Sequence, residues 1–173
     1  MTGIRLATEG DAGAVCDILR RSITQCCVDD HRYDSGVLER WLRNKTTDTV
    51  ESWLIWPAHY PIVATVQDEV VGVGMLARPG RIVLLHVDPI RRQTGIGSAL
   101  LRTLESKARK SGVSMLRVTS TLSARRFYES HGYSLVTATS APYGAALAMA
   151  KRLGADLRAR ASACGCNGAA REA

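Results

Sequence analysis

Apolar positions in the first half of the chain recur mainly in steps of three and four, and they give way to short β-rich apolar runs from about residue 60. Ile4 to Leu6 reads as a short strand. Thr8-Glu9-Gly10-Asp11 places an acid three positions after a threonine, a pattern that caps a helix start. Val15, Ile18, Leu19, Ile23 and Cys26 then mark one face of an amphipathic helix that stops near Cys27. Asp29 to Asp34 is polar and reads as a loop. Ser35 is positioned to cap a second helix with face Leu38, Trp41 and Leu42, and Val50, Trp53 and Leu54 suggest a third before Pro57 and Pro61. Ile62 to Val66, Val70 to Leu76 and Ile82 to Val87 are β-rich runs. Gln67-Asp68-Glu69 and Arg78-Pro79-Gly80 join them into an antiparallel meander.

Behind Asp88-Pro89, a turn with Gly95 and Gly97 opens a helix with face Leu100, Leu101, Leu104 and Ala108, ending before Gly112. Val113 to Thr119 follows as a strand. Ser120 or Thr121 can cap a helix through Ala124, Phe127 and Tyr128, with Gly132 placed for a left-handed C′ position and Tyr133 to Ala138 resuming as a strand. A helix between two strands makes this half α/β. Residues 144 to 153 are helical by propensity alone. From Gly154 onward Ala, Gly, Arg and Cys alternate without an apolar face, which predicts a disordered tail over 154–173.

Length and composition limit the alternatives. A chain of 173 residues with 46% apolar content suits one domain, here 1–153, and no apolar run approaches the roughly 18 residues of a membrane span. No signal-peptide core opens it, so a soluble, cytoplasmic protein is expected. Five cysteines without a C-x-x-C pair predict free thiols, with neither a disulfide framework nor a metal site. The net charge of +7 is unevenly spread. Residues 1–70 carry seven basic and eleven acidic residues, whereas residues 91–126 carry nine basic residues and only Glu105. That basic stretch contains no aromatic residue to stack on bases, so a compact phosphate ligand fits it better than nucleic acid.

The turn from Val87 to Ser98 is where such a ligand belongs. The first amides of a helix lack internal partners and lie at the positive end of its dipole, and Gly95 and Gly97 permit close approach of phosphate oxygens. Arg92 adds a charged donor. An ordinary strand-to-helix turn with surface arginines would look the same. Neither the P-loop nor the dinucleotide fingerprint matches: there is no Gly-Lys-Ser/Thr, and position 100 is Leu100 where a third glycine is needed.

Val87-Asp88-Pro89 followed by Arg92-x-x-Gly95-Ile96-Gly97 and a Leu-rich helix resembles the acetyl-CoA-binding motif of the GNAT superfamily of N-acyltransferases. A second segment, Thr121-x-x-Ala124-x-x-Phe127-Tyr128-x-x-x-Gly132-Tyr133, resembles that family's N-x-x-A-x-x-F-Y-x-x-x-G-[FY]. The pair occurs in the family's order and spacing and covers residues 3 to about 153. The front part looks like small stand-alone bacterial members.

The resemblance implies an α/β GNAT-like fold, a mixed, mostly antiparallel central sheet flanked by helices, with residues 145–151 as a final strand against their helix propensity. It implies acetyl-CoA as co-substrate, held by the backbone of Gln93, Thr94, Gly95, Ile96, Gly97 and Ser98, by Arg92, and by strand residues Leu85 to Val87 pairing with the pantetheine arm. Thr121 and Ala124 would border the same site, although Thr stands where the family often has Asn. Tyr128 would be the general acid for the departing thiolate, while Phe127 packs.

No carboxylate lies in Ile82 to Val87, which leaves His86 as the titratable residue for proton removal, with His31, Asp30 and Glu129 as solvent-facing alternatives. Direct transfer in a ternary complex to a primary amine of a small molecule or peptide needs no cysteine nucleophile. The acidic front half with Trp41, Trp53 and Trp56 suggests a cationic acceptor, or simply a solvated face over a core. Two other readings stay open: a toxin-type enzyme acetylating aminoacyl-tRNA, and a catalytically silent acetyl-CoA-binding regulatory module. The chain would act as a monomer or homodimer.

Overall fold

The computed structural model describes residues 2–154, so the predicted tail, apart from Gly154, lies outside the described residues. One seven-stranded sheet organises them: β1 (Thr2–Leu6), β2 (His59–Val66), β3 (Glu69–Ala77), β4 (Arg81–Val87), β5 (Met115–Ser120), β6 (Ser134–Ala141) and β7 (Gly144–Arg152). Their spatial order is β1-β2-β3-β4-β5-β7-β6. Every neighbouring pair is antiparallel except β4 and β5. The meander of β2, β3 and β4 is as the β-rich runs and their turn residues predict.

Helices cover both faces. On one side α1 (Ala12–Cys26) and α4 (Thr47–Ile55) pack Val15, Leu19, Val50 and Leu54 against Val63, Val73, Met75 and Leu84. On the other, α5 (Ile96–Lys110) lays Leu100, Leu101, Leu104 and Ala108 on Ile62, Ala64, Ile82 and Leu116, beside Tyr128 of α6 (Arg125–Ser130). The three- and four-residue spacing of these side chains puts them on one helical stripe, and burying them is the main force holding helix to sheet. No helix among the described residues is long and apolar enough to cross a membrane.

Three local expectations from the residue pattern change, and one implied by the resemblance holds. Residues 28–31, expected in a loop, form the single turn α2 (Val28–His31), and α3 (Ser35–Leu42) is capped by Asp34, whose carboxylate accepts from the Val37 amide at 2.9 Å, not by Ser35. Thr121 accepts from the Ala124 amide at 3.2 Å, but the regular helix begins only at Arg125. Residues 144–152 are strand, as the resemblance implied for 145–151 and against their helix propensity, because they lie between β5 and β6 and pair with both. Leu147 and Met149 enter the core and Lys151 reaches Glu105 on α5 at 2.8 Å, a period of two that only the large residues display.

The feature that positions the site is a splay. β4 and β5 pair only at Arg81 with Arg117 and Ile82 with Val118. Beyond that point β4 carries one extra residue, Val83, opposite β3, where Leu84 pairs with Met75 and Ile82 with Leu76. Such a bulge bends its strand and increases local twist, and the two halves of the sheet part there.

Candidate active site

The parted strands leave a cleft of about 810 Å³. Its floor is β4. Because the Asp88 amide donates to Val71 O at 2.9 Å, strand alternation turns the backbone groups of Leu85 and Val87 away from β3 and into the gap. Their side chains pack with the α5 core, so these residues offer main chain to the cleft.

The turn after β4 closes one end. Asp88, buried, accepts from the Ile90 amide at 3.2 Å and pairs with Arg21 of α1 at 2.8 Å, so the turn is anchored to the opposite helical layer. Gln93 and Gly95 take positive φ values of 60° and 85°, and Gly95 is the N-cap of α5. Gln93 fits the small left-handed region open to side chains, whereas at φ 85° a Cβ is poorly tolerated, which is why glycine stands at 95. The first intrahelical bond runs from Ala99 N to Gly95 O at 3.0 Å, and among the described residues the amides of 93 to 98 have no protein acceptor. Thr94 and Ile96 contribute backbone alone. The Thr94 hydroxyl donates to Arg91 O at 2.6 Å, and the Ile96 side chain is buried. Arg91 and Arg92 belong to this turn, and Arg126 of the helix across the cleft also lines it. Unpaired amides at a helix start ringed by guanidinium groups form an anion site of the kind a diphosphate fills.

A family model described as "Acetyltransferase (GNAT) domain" matches residues 32–153. The chain belongs to the GNAT family. A search of curated proteins finds no match. Among solved structures, a GCN5-related N-acetyltransferase from Rhodopseudomonas palustris is 25% identical, with a TM-score of 0.81 over 88% of this chain and 96% of that one. The PaiA N-acetyltransferase of Thermoplasma acidophilum, solved with coenzyme A, is 17% identical, with a TM-score of 0.77 over 88% and 99%. The ribosomal-protein-S18-alanine N-acetyltransferase of Escherichia coli is 20% identical, with a TM-score of 0.66 over 91% and 98%. The protein is thus an acetyltransferase whose family uses acetyl-CoA, and the cleft with its amide-lined turn fits that co-substrate.

In this GNAT domain the second motif forms the wall opposite β4. Tyr128 is buried yet lines the cleft, and burial, with Tyr143 nearby, pushes its hydroxyl pKa above the ordinary tyrosine value. It stays protonated at neutral pH. Gly132 follows α6 at φ 82° with its amide on Glu129 O, and the Tyr133 amide returns to Tyr128 O, the predicted left-handed helix end. Phe127 is half-buried, packs on Tyr128 and His131, and bounds the cleft at Gly97, where a Cβ would sit 3.5 Å from its ring. Thr121 and Ala124 line the cleft.

The acidic and histidine alternatives have other duties. Asp30 does not face solvent: its carboxylate accepts from the Leu122 amide at 2.6 Å, the Ser123 amide at 3.3 Å and the Ser123 hydroxyl at 2.5 Å. His31 is buried, with Nδ1 accepting from the Tyr33 amide and Nε2 within 3.2 Å of Thr24 O. Glu129 is exposed and pairs with Arg125. His86 does border the cleft, with Nδ1 3.1 Å from Ser22 Oγ. Burial, aided by the positive Lys45, pushes its pKa down to about 4, so it is a neutral, weakly basic imidazole at pH 7.

Sequence reading missed several lining residues. Tyr143, in the β6–β7 turn, stacks on Trp41 with ring centres 4.0 Å apart, and burial, with Asp30 and Cys27 adding, pushes its hydroxyl up to about 12. Ser22, Lys45 and Cys26, the last expected in the core, complete that end. Cys27 is a buried thiol pushed up to about 12 by burial first, with Asp30 adding, which removes it as a nucleophile. Trp53 packs on the second core and Trp56 is 59% exposed. These contacts join segments far apart in the chain, and no local pattern announces them.

Proposed function

We propose that this acetyltransferase moves the acetyl group of acetyl-CoA directly to a primary amine in a ternary complex. The observation that carries the reading is the cleft itself: an amide-lined anion site at one end, open β4 main chain along the floor, and the Tyr128 hydroxyl in the wall between that site and the aromatic end at Trp41 and Tyr143. In this reading the amides of 93–98 and Arg92 hold the diphosphate, and Leu85 and Val87 hold the pantetheine arm as an added strand would be held. Fixing both ends of the carrier places its thioester beside Tyr128 and converts attack by the amine into a local event.

Tyr128 supplies the proton that the departing thiolate needs. Its raised pKa keeps the proton available, and the thiolate formed as the bond breaks is the group that draws it off. His86 faces the acceptor as a neutral acceptor of a hydrogen bond from the amine. It takes up a proton only weakly, so the amine enters the reaction already neutral or loses its proton through water. The second motif's helix is held in register by Asp30, so Tyr128 does not depend on bound ligand for its place.

Calorimetry with acetyl-CoA, followed by release of free CoA over a panel of amines, tests the reading. Binding plus amine-dependent release supports it. Binding without release for any amine would replace it with a silent carrier-binding module, and absence of binding would remove it.

A further inference from the structure

The cleft wall is charged in one sense only. Its lining includes Lys45, Arg91, Arg92 and Arg126, and among the described residues it includes no Asp or Glu. The eleven acids of residues 1–70 therefore do not make this a cation-seeking site, contrary to the expectation from their number. Three of the four cations stand around the amide-lined turn and are accounted for by a phosphorylated carrier. Lys45 is not. It comes from the α3–α4 connection, and its neighbours are Trp41, Asn44 and Trp53. It also acts on His86, at the acceptor end.

Lys45 is half-buried and has no carboxylate within 4.0 Å among the described residues. Its ammonium donates to Trp41 O at 3.3 Å and to Asn44 Oδ1 at 2.5 Å, and its ring contact is the face of Trp53 at 5.4 Å. Those are neutral partners for a group with three donors. A partly desolvated cation with only neutral partners is an unfilled half of an ion pair. Beside it, the stacked Trp41 and Tyr143 give an apolar wall, and His86 and Ser22 a polar one.

We propose that Lys45 recognises a carboxylate on the acceptor, so that the substrate class is a small amine bearing its own carboxylate, and polycations are excluded. This deepens the amine-acetylation reading and rests on it. The cation that pairs the carboxylate also repels a second ammonium, so one residue both selects and rejects. No new chemistry is required. The carbon–sulfur bond of the thioester breaks as the carbon–nitrogen bond forms, and the carboxylate takes no part.

The test compares amino acids with their carboxamides and with diamines of matched length, in the wild type and in Lys45→Gln and Lys45→Arg. Turnover is read as kcat/KM and binding as the thermal shift with CoA present. The wild type is expected to prefer the carboxylate by roughly 10- to 100-fold, the range of one charge-assisted hydrogen bond. Lys45→Gln should collapse that preference and Lys45→Arg should keep most of it, which separates loss of charge from loss of fold. Turnover without carboxylate preference, or a preference that survives Lys45→Gln, overturns the assignment of Lys45 and leaves acetylation standing. A carboxylate-dependent thermal shift lost in Lys45→Gln but with no turnover supports Lys45 while overturning amine acetylation. Neither shift nor turnover overturns both.

Discussion

Two strand-to-helix turns face the same cleft and are finished in opposite ways. After β4, the chain reaches α5 with the amides of residues 93–98 turned outward and unclaimed among the described residues. After β5, it reaches α6 with the same kind of amides, but Asp30 takes those of Leu122 and Ser123, and Thr121 takes that of Ala124. Both segments match sequence motifs, yet only the first remains an anion site. A helix start binds a ligand's phosphate only where the protein has not already supplied the acceptor. The second turn uses its amides for a different end, fixing the helix that carries Tyr128.

The largest effect expected from this contrast is on turnover. Tyr128→Phe keeps the ring and removes the proton, so kcat should fall by about 10²- to 10⁴-fold while acetyl-CoA affinity measured by calorimetry holds. A wild-type kcat would take Tyr128 out of the reaction. Next comes the open turn. Gly95→Val forces a β-branched residue into φ 85° with nothing within 4 Å of its Cβ, so the strain is in the backbone and not in packing. Acetyl-CoA affinity should weaken by roughly tenfold or more, and an unchanged Kd would show that the turn's conformation is immaterial.

The closed turn is probed through stability. Asp30→Ala leaves the Leu122 and Ser123 donors without their acceptor, at a cost of about 1–3 kcal/mol. For a domain of this size that corresponds to a fall of roughly 2–12 °C in Tm. If Tm does not move, the two turns do not differ in the way described.

The smallest effect is a pH slope. His86 has its pKa lowered from 6.5 to about 4 in the fold, so between those values the unfolded chain binds the proton and the folded one does not. Stability contributed by keeping this imidazole neutral is complete above pH 6.5 and is lost as pH falls toward 4. Urea unfolding of His86→Gln should show a shallower decline over that window than the wild type. Parallel curves would indicate that His86 is not held neutral.

Much of the carrier wall was legible from sequence because it is made of main chain. Glycines at 95 and 97, a proline after Asp88 and a Leu-rich stripe dictate a turn and a helix locally, and the backbone does the rest. The meander and α1 were legible as well, the first through β-rich runs broken by turn residues and the second through apolar steps of three and four. Propensity alone reads β7 as helix because small alanines hide its alternation; the family resemblance supplied the strand, which pairs on both edges.

The aromatic end of the cleft was largely opaque because it is made of side chains from separate segments. Trp41 meets Tyr143 across the sheet's far end, His86 meets Ser22, and Asp30 meets Ser123, none of which a window of sequence can display. The acidic count of the front half suggested a cationic acceptor, whereas among the described residues no Asp or Glu lines the cleft. Charge on a segment says nothing of the face on which it lies.

Titrating isotope-labelled protein with coenzyme A while following individual backbone amides by NMR addresses the site most directly. Large shifts at residues 93–98, with Leu122, Ser123 and Ala124 moving far less, are the predicted result. Silent amides at 93–98 under saturating coenzyme A, or shifts centred on 122–124, would contradict it.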